Sequence, residues 1–127
     1  VADFVSIHLP LNKSTKNFIS QTELELMKKN SVLVNTSRGG IVNENDLYQA
    51  LKSKKIRGAG MDVFISEPPE SNHPFFQLNN ILLTPHNAAL TLECRRRMSL
   101  EASENIFYFL KNMQELNTEN LVNKKFL

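Results

Sequence analysis

A histidine beside a carboxylate works as a general acid/base, because the acid fixes the ring and favours its protonated form. An arginine facing that pair offers a planar fork for a carboxylate or keto-acid ligand. The sequence holds a candidate for each part: His86 after Pro85, Glu67 ahead of Pro68-Pro69, and Arg38 ahead of Gly39-Gly40. Together they suit proton transfer at the carbonyl of a small 2-oxo acid, with a redox cofactor supplying the hydride. Each residue also has a plainer reading. His86 could be a surface histidine, Glu67 a solvated loop acid, and Arg38 a cap at a strand end. Asp62, beside them in type, could satisfy backbone donors of the next loop. His8 and His73 have no comparable setting and are read as structural.

The three residues matter only if the fold gathers them. Phe4 to Leu9 is an apolar run stopped by Pro10, Ser31 to Asn35 a second, Gly58 to Val63 a third, and Asn80 to Thr84 a fourth, halted by Pro85. Each reads as a buried strand. Between them lie helical stretches. Ser20-Gln21-Thr22-Glu23 precedes Leu24, Leu26 and Met27, and Asn43-Glu44-Asn45-Asp46 precedes Leu47, Ala50 and Leu51. Glu67 to Pro74 is proline-rich and extended. A long helix runs from about Thr91 to about Met113, with Met98, Ala102, Ile106, Phe109 and Met113 as an apolar stripe expected to be core. Residues 117–127 form a polar tail. Apolar strands alternating with helices predict an α/β fold with a parallel sheet covered on both faces. In such sheets ligands bind outside the carboxyl ends of the strands. Those ends carry His8-Leu9-Pro10, Thr36-Ser37-Arg38, Asp62 onward to Glu67, and Pro85 to Ala88, so one edge collects the chemistry.

Composition narrows the classes. With 127 residues, 41% hydrophobic and 22% charged, the chain has room for one core. Four Gly and five Pro exclude collagen-like or low-complexity chains, and no apolar run nears the roughly 18 residues of a membrane span. One cysteine, Cys94, allows no internal disulfide and points to a reducing compartment, here the cytoplasm. The net charge of +2 is spread over short clusters such as Lys28-Lys29 and Arg95-Arg96-Arg97, which read as solvated faces. Neither a nucleic-acid nor a membrane partner is expected. The opening Val-Ala-Asp-Phe, with neither Met nor signal peptide, is expected to mark a fragment.

Four segments carry a resemblance. Asp3 to Leu11, Met27 to Asn43, Gly58 to Pro69 and Leu83 to Ala89 resemble, in order and spacing, the signatures of the D-isomer-specific 2-hydroxyacid dehydrogenases across roughly residues 2 to 112. The resemblance implies the later half of a Rossmann-type doubly wound parallel sheet, a fragment of a two-domain protein. Residues 1–113 would be the C-terminal portion of the NAD(P)-binding domain, and 114–127 a tail leading back to a missing substrate domain. Arg38 would bind the substrate carboxylate and carbonyl oxygen. His86 would exchange a proton with that oxygen, and Glu67 would stabilise the protonated ring. The cofactor would be NAD, with NADP possible. Leu9 and Pro10 would line its cleft with Ser14 or Thr15 nearby; Thr36, Ser37 and Asp62 would approach the nicotinamide, and Ala88 the carboxamide. No metal is implied. The partners would be a small 2-hydroxy or 2-oxo acid and a second copy in a homodimer.

The sequence also departs from the pattern. It has no Gly-x-Gly-x-x-Gly and no acid after one to hold a ribose, so the isolated segment is expected to be inactive and to self-associate through exposed apolar surface. Asn43 stands where Asp is commoner, which touches a helix start only. Glu67 rather than Gln argues against the formate dehydrogenase branch, and phosphoglycerate or glycerate/hydroxypyruvate dehydrogenase-like members fit better. The alternative is a non-catalytic nucleotide sensor like the family's co-repressor branch, which keeps Arg, Glu and His while binding proteins.

Overall fold

The structure, a computed structural model, describes residues 2–111. The expected helix end at Met113 and the tail 114–127 lie outside the described residues. Four strands, β1 (Phe4–Ile7), β2 (Val32–Asn35), β3 (Gly58–Met61) and β4 (Ile81–Leu83), pair in parallel in that order. They are shorter than the apolar runs. His8-Leu9, Asp62-Val63 and Thr84 leave the ladder and serve loops instead. The last paired positions are Ile7, Asn35, Met61 and Leu83, aligned across the sheet, so the loops that follow all emerge from one edge.

Parallel neighbours need crossovers, and two of the three are helices. Helix α1 (Gln21–Leu26) joins β1 to β2, and α2 (Glu44–Lys52) joins β2 to β3. α1 starts where the Glu23 carboxylate reaches back to the Ser20 N–H at 2.9 Å and hydroxyl at 2.7 Å. α2 starts where Asn43 Oδ1 accepts the Asp46 N–H at 3.1 Å, so the substituted residue still caps. The third crossover is the proline-rich loop, which closes through a 3-10 turn at Pro74–Gln77 that the sequence pattern did not indicate.

Right-handed crossovers taken in one direction place both helices on one face, where they touch each other. Leu24, Leu47 and Leu51 pack there against Leu33, Ala59 and Met61, forming the core. Burying each such side chain stabilises by about 1.5–3 kcal/mol. The other face of the same sheet carries Phe4 and Leu82, 69% and 70% exposed. Within the unit Val1–Ala88 the helical crossovers therefore cover one face of the sheet only.

The chain divides into a compact unit at Val1–Ala88 and a second unit from Ala89 onward. In the second, α3 (Leu92–Leu110) starts at Thr91, whose side chain accepts the Cys94 N–H. The stripe expected to be core is not: α3 buries no residue, and Met98, Ile106 and Phe109 are exposed. α3 is the sole element described in its unit, so its apolar side has no partner there.

Candidate active site

Glu67 and His86 meet, although 19 residues separate them. His86 Nδ1 lies 2.7 Å from Glu67 Oε2, and Glu67 Oε1 accepts the Phe64 N–H at 2.9 Å. The hydrogen bond from His86, then that from Phe64, hold the Glu67 carboxyl below its ordinary range, against the opposing effect of burial. With Nδ1 facing a carboxylate, the ring nitrogen left for chemistry is Nε2, and both side chains remain partly open to solvent. Phe64, Pro68, Pro69 and Pro85 form apolar walls of a cavity of about 240 Å³ around the pair. The Glu67–Pro68 peptide is cis.

His86 adopts a left-handed backbone, φ 51°, unusual for a residue other than glycine. Asp62 is what surrounds this turn with bonds. Its carbonyl accepts the His86 N–H at 2.8 Å. Its carboxylate, on a residue 2% exposed, accepts from Thr84 Oγ1 at 2.5 Å and from the Asn87 and Ala88 N–H groups, each at 2.9 Å. Burial raises the Asp62 carboxyl, but the bonds from Thr84, Ala88 and Asn87 outweigh it, and the group lies below its ordinary range. Both Asp62 oxygens are thus engaged with the β4–α3 loop, and the Ala88 N–H with Asp62.

Arg38 stands on the loop after β2. Buried Asn35 braces that loop: its Nδ2 donates to the Arg38 carbonyl at 3.0 Å, and its Oδ1 accepts from the Ser37 N–H and hydroxyl. The exposed Arg38 guanidinium donates one bond, to the Ser37 carbonyl, leaving its remaining donors outward. Gly39 follows because nothing larger fits. A Cβ there would collide with the Phe64 carbonyl and come within 2.7 Å of the Ile65 nitrogen, so the arginine turn lies directly on the loop that carries Glu67.

Leu9, Pro10, Thr36, Ser37 and Arg38 share a second cavity, of about 650 Å³. His8 and Leu11 complete its lining, so the β1 side joins apolar side chains to one imidazole and the β2 side is polar. Ser14 sits apart from that lining: it turns to Asn12 Oδ1 through its N–H and hydroxyl, while Thr15 Oγ1 donates to the Pro10 carbonyl. Asn35, Thr84 and the carboxylate role of Asp62 carry much of the positioning. Of these, only Asp62 had a sequence signal, its place at a strand end.

Residues 1–88 match the family described as D-isomer specific 2-hydroxyacid dehydrogenase, NAD binding domain. The chain is 44% identical over 124 residues to a glyoxylate reductase of Aeropyrum pernix, covering 98% of this chain and 36% of the relative. It is 41% identical to a D-3-phosphoglycerate dehydrogenase of Methanocaldococcus jannaschii, covering 96% and 23%. Among solved structures, D-lactate dehydrogenase with NAD+ from Lactobacillus jensenii superposes with a TM-score of 0.82 at 28% identity, over 89% of this chain and 38% of that one. The chain spans between 23% and 38% of the length of these proteins.

Proposed function

Since the chain belongs to the D-isomer-specific 2-hydroxyacid dehydrogenases through their NAD-binding domain, we propose that the protein carrying it interconverts a D-2-hydroxy acid and its 2-oxo acid. The observation that carries this is the 2.7 Å His86–Glu67 pair at the same sheet edge as Arg38. Arg38 binds the substrate carboxylate and carbonyl oxygen with the donors its own loop does not use. His86 gives a proton from Nε2 to the carbonyl oxygen during reduction and takes it back during oxidation. Glu67 holds Nδ1 and balances the imidazolium charge. Asp62 and Ala88 keep the histidine turn in place at the nicotinamide end.

Leu9, Pro10, Thr36 and Ser37 would hold the nicotinamide half of NAD or NADP, with Ser14 nearer the outer rim. When bound, that cofactor supplies or accepts the hydride. The described residues contain no glycine-rich turn for the pyrophosphate, so the reading assigns them the nicotinamide half alone. Cytoplasmic location and homodimer formation belong to the same reading, supported by the lone Cys94 and the exposed Phe4/Leu82 face.

The test is reduction of glyoxylate and hydroxypyruvate by the full-length protein, followed at the NADH or NADPH absorbance. His86→Asn, which tolerates the left-handed backbone, is expected to lower kcat at least about 100-fold. Arg38→Gln is expected to raise KM for the keto acid. Turnover undiminished in both variants would overturn the assignment.

A further inference from the structure

Twelve residues beyond β3 pass before the next regular turn begins, yet Glu67 within them is held on target. Part of the reason lies on α2. Glu44 Oε1 accepts the Ile65 N–H at 2.7 Å, one residue past the Phe64 N–H that orients Glu67. Glu44 Oε2 faces His73 Nε2 at 3.4 Å, and His73 Nδ1 accepts the Phe75 N–H at 3.3 Å. One carboxylate therefore ties both ends of the loop, at Ile65 and at His73. The two side chains are 15% and 16% exposed, and the His73 ring is set edge-on to Phe64 and Phe75 with centroids 5.4 and 4.8 Å away. Since Nδ1 is the acceptor of the Phe75 bond, Nε2 is the ring nitrogen that faces Glu44 as donor.

Glu44 is not spent on its own helix. Asn43 caps α2, and Asp46 turns to the Gln21 N–H instead. The Ile65 nitrogen that Glu44 holds also lies within 2.7 Å of where a Cβ on Gly39 would stand, just behind the Phe64 carbonyl, so movement there disturbs the arginine turn and the Glu67 loop together. We propose that Glu44 and His73 are positioning residues that hold the 64–75 loop so that Glu67 stays aimed at His86. This rests on the catalytic reading above.

In the full-length enzyme, Glu44→Ala is expected to lower kcat for 2-oxo acid reduction about 10- to 100-fold while KM for the nicotinamide cofactor changes less than about two-fold. Glu44→Gln keeps an oxygen for the Ile65 N–H and recovers most of kcat; His73→Ala falls between. The low-field proton signal of His86 Nδ1 weakens in Glu44→Ala and returns in Glu44→Gln. Wild-type kcat and proton signal in Glu44→Ala would overturn the proposal. So would equal losses in Glu44→Ala and Glu44→Gln accompanied by lost cofactor affinity and melting temperature, which describe a general fold defect. A wild-type protein inactive on every 2-oxo acid tested would instead sink the catalytic reading, and the proton signal would still decide whether Glu44 aligns the pair.

Discussion

Asp62→Asn changes one atom and upsets three bonds. The buried carboxylate accepts from the Thr84 hydroxyl and from the Asn87 and Ala88 N–H groups. An asparagine carbonyl can keep the donors on one oxygen, but its NH2 then points at the N–H or hydroxyl facing the other. Charge-assisted bonds contribute about 1.5–3 kcal/mol each, and a buried donor left unsatisfied costs about 1–3 kcal/mol. Losing one such bond and weakening the rest gives about 2–4 kcal/mol, measured as the shift in urea unfolding free energy of the 127-residue chain at pH 7. The pH dependence gives a second check. The Asp62 carboxyl lies below its unfolded value, so its contribution is complete above an unfolded pKa of about 3.9 and is lost as pH falls through the folded value. Asparagine does not titrate, so the difference between the two proteins should shrink as the pH falls from 5 to 3. A variant within about 0.5 kcal/mol of wild type at pH 7, or a difference that grows on acidification, would refute this account of the carboxylate.

Three further outcomes are expected. Gly39→Ala should destabilise by about 2–3 kcal/mol in the same unfolding assay, since the new methyl meets backbone of Phe64 and Ile65 that cannot rotate aside. Asn35→Ala should raise KM for the keto acid and cost about 1–3 kcal/mol, because it unties the Ser37 N–H and the Arg38 carbonyl; an unchanged KM in steady-state assays would count against the brace. Glu67 titrates below its ordinary value, so its ionisation should not limit reduction between pH 7 and pH 5; a rate that halves near pH 5 with a group assigned to Glu67 by Glu67→Gln would contradict that.

What the sequence made legible was the part written in local patterns. Apolar runs stopped by Pro10 and Pro85, the polar stretches Ser20 to Glu23 and Asn43 to Asp46, and the small residues of Gly58-Ala59-Gly60 located the strands and the starts of the first two helices to within a residue or two. Parallel pairing then followed, and with it the shared edge that collects Arg38, Glu67 and His86. The braces were not legible. Asp62 and Glu44 act on backbone N–H groups of other loops and Asn35 on the backbone of its own, and a backbone group has no residue-specific signature. His73, read as structural, bonds across 29 residues to Glu44, a separation at which spacing says nothing. The stripe of α3 misled for a related reason: periodicity shows that a face is apolar, not what it meets.

The strand order has a consequence for how the molecule is made. Because each strand pairs with the one just before it, the sheet can grow by addition at a single moving edge while the chain is still being synthesised. The Arg38 turn would be framed once β3 and the Phe64 loop have emerged, and His86 would arrive after β4. Nascent chains stalled before Ile81 should therefore resist protease in β1 and β2, while chains stalled just past Ala88 should be protected throughout. Sensitivity in β1 until release of the whole chain would show that assembly waits. On this order, His86 is installed after Arg38 and Glu67.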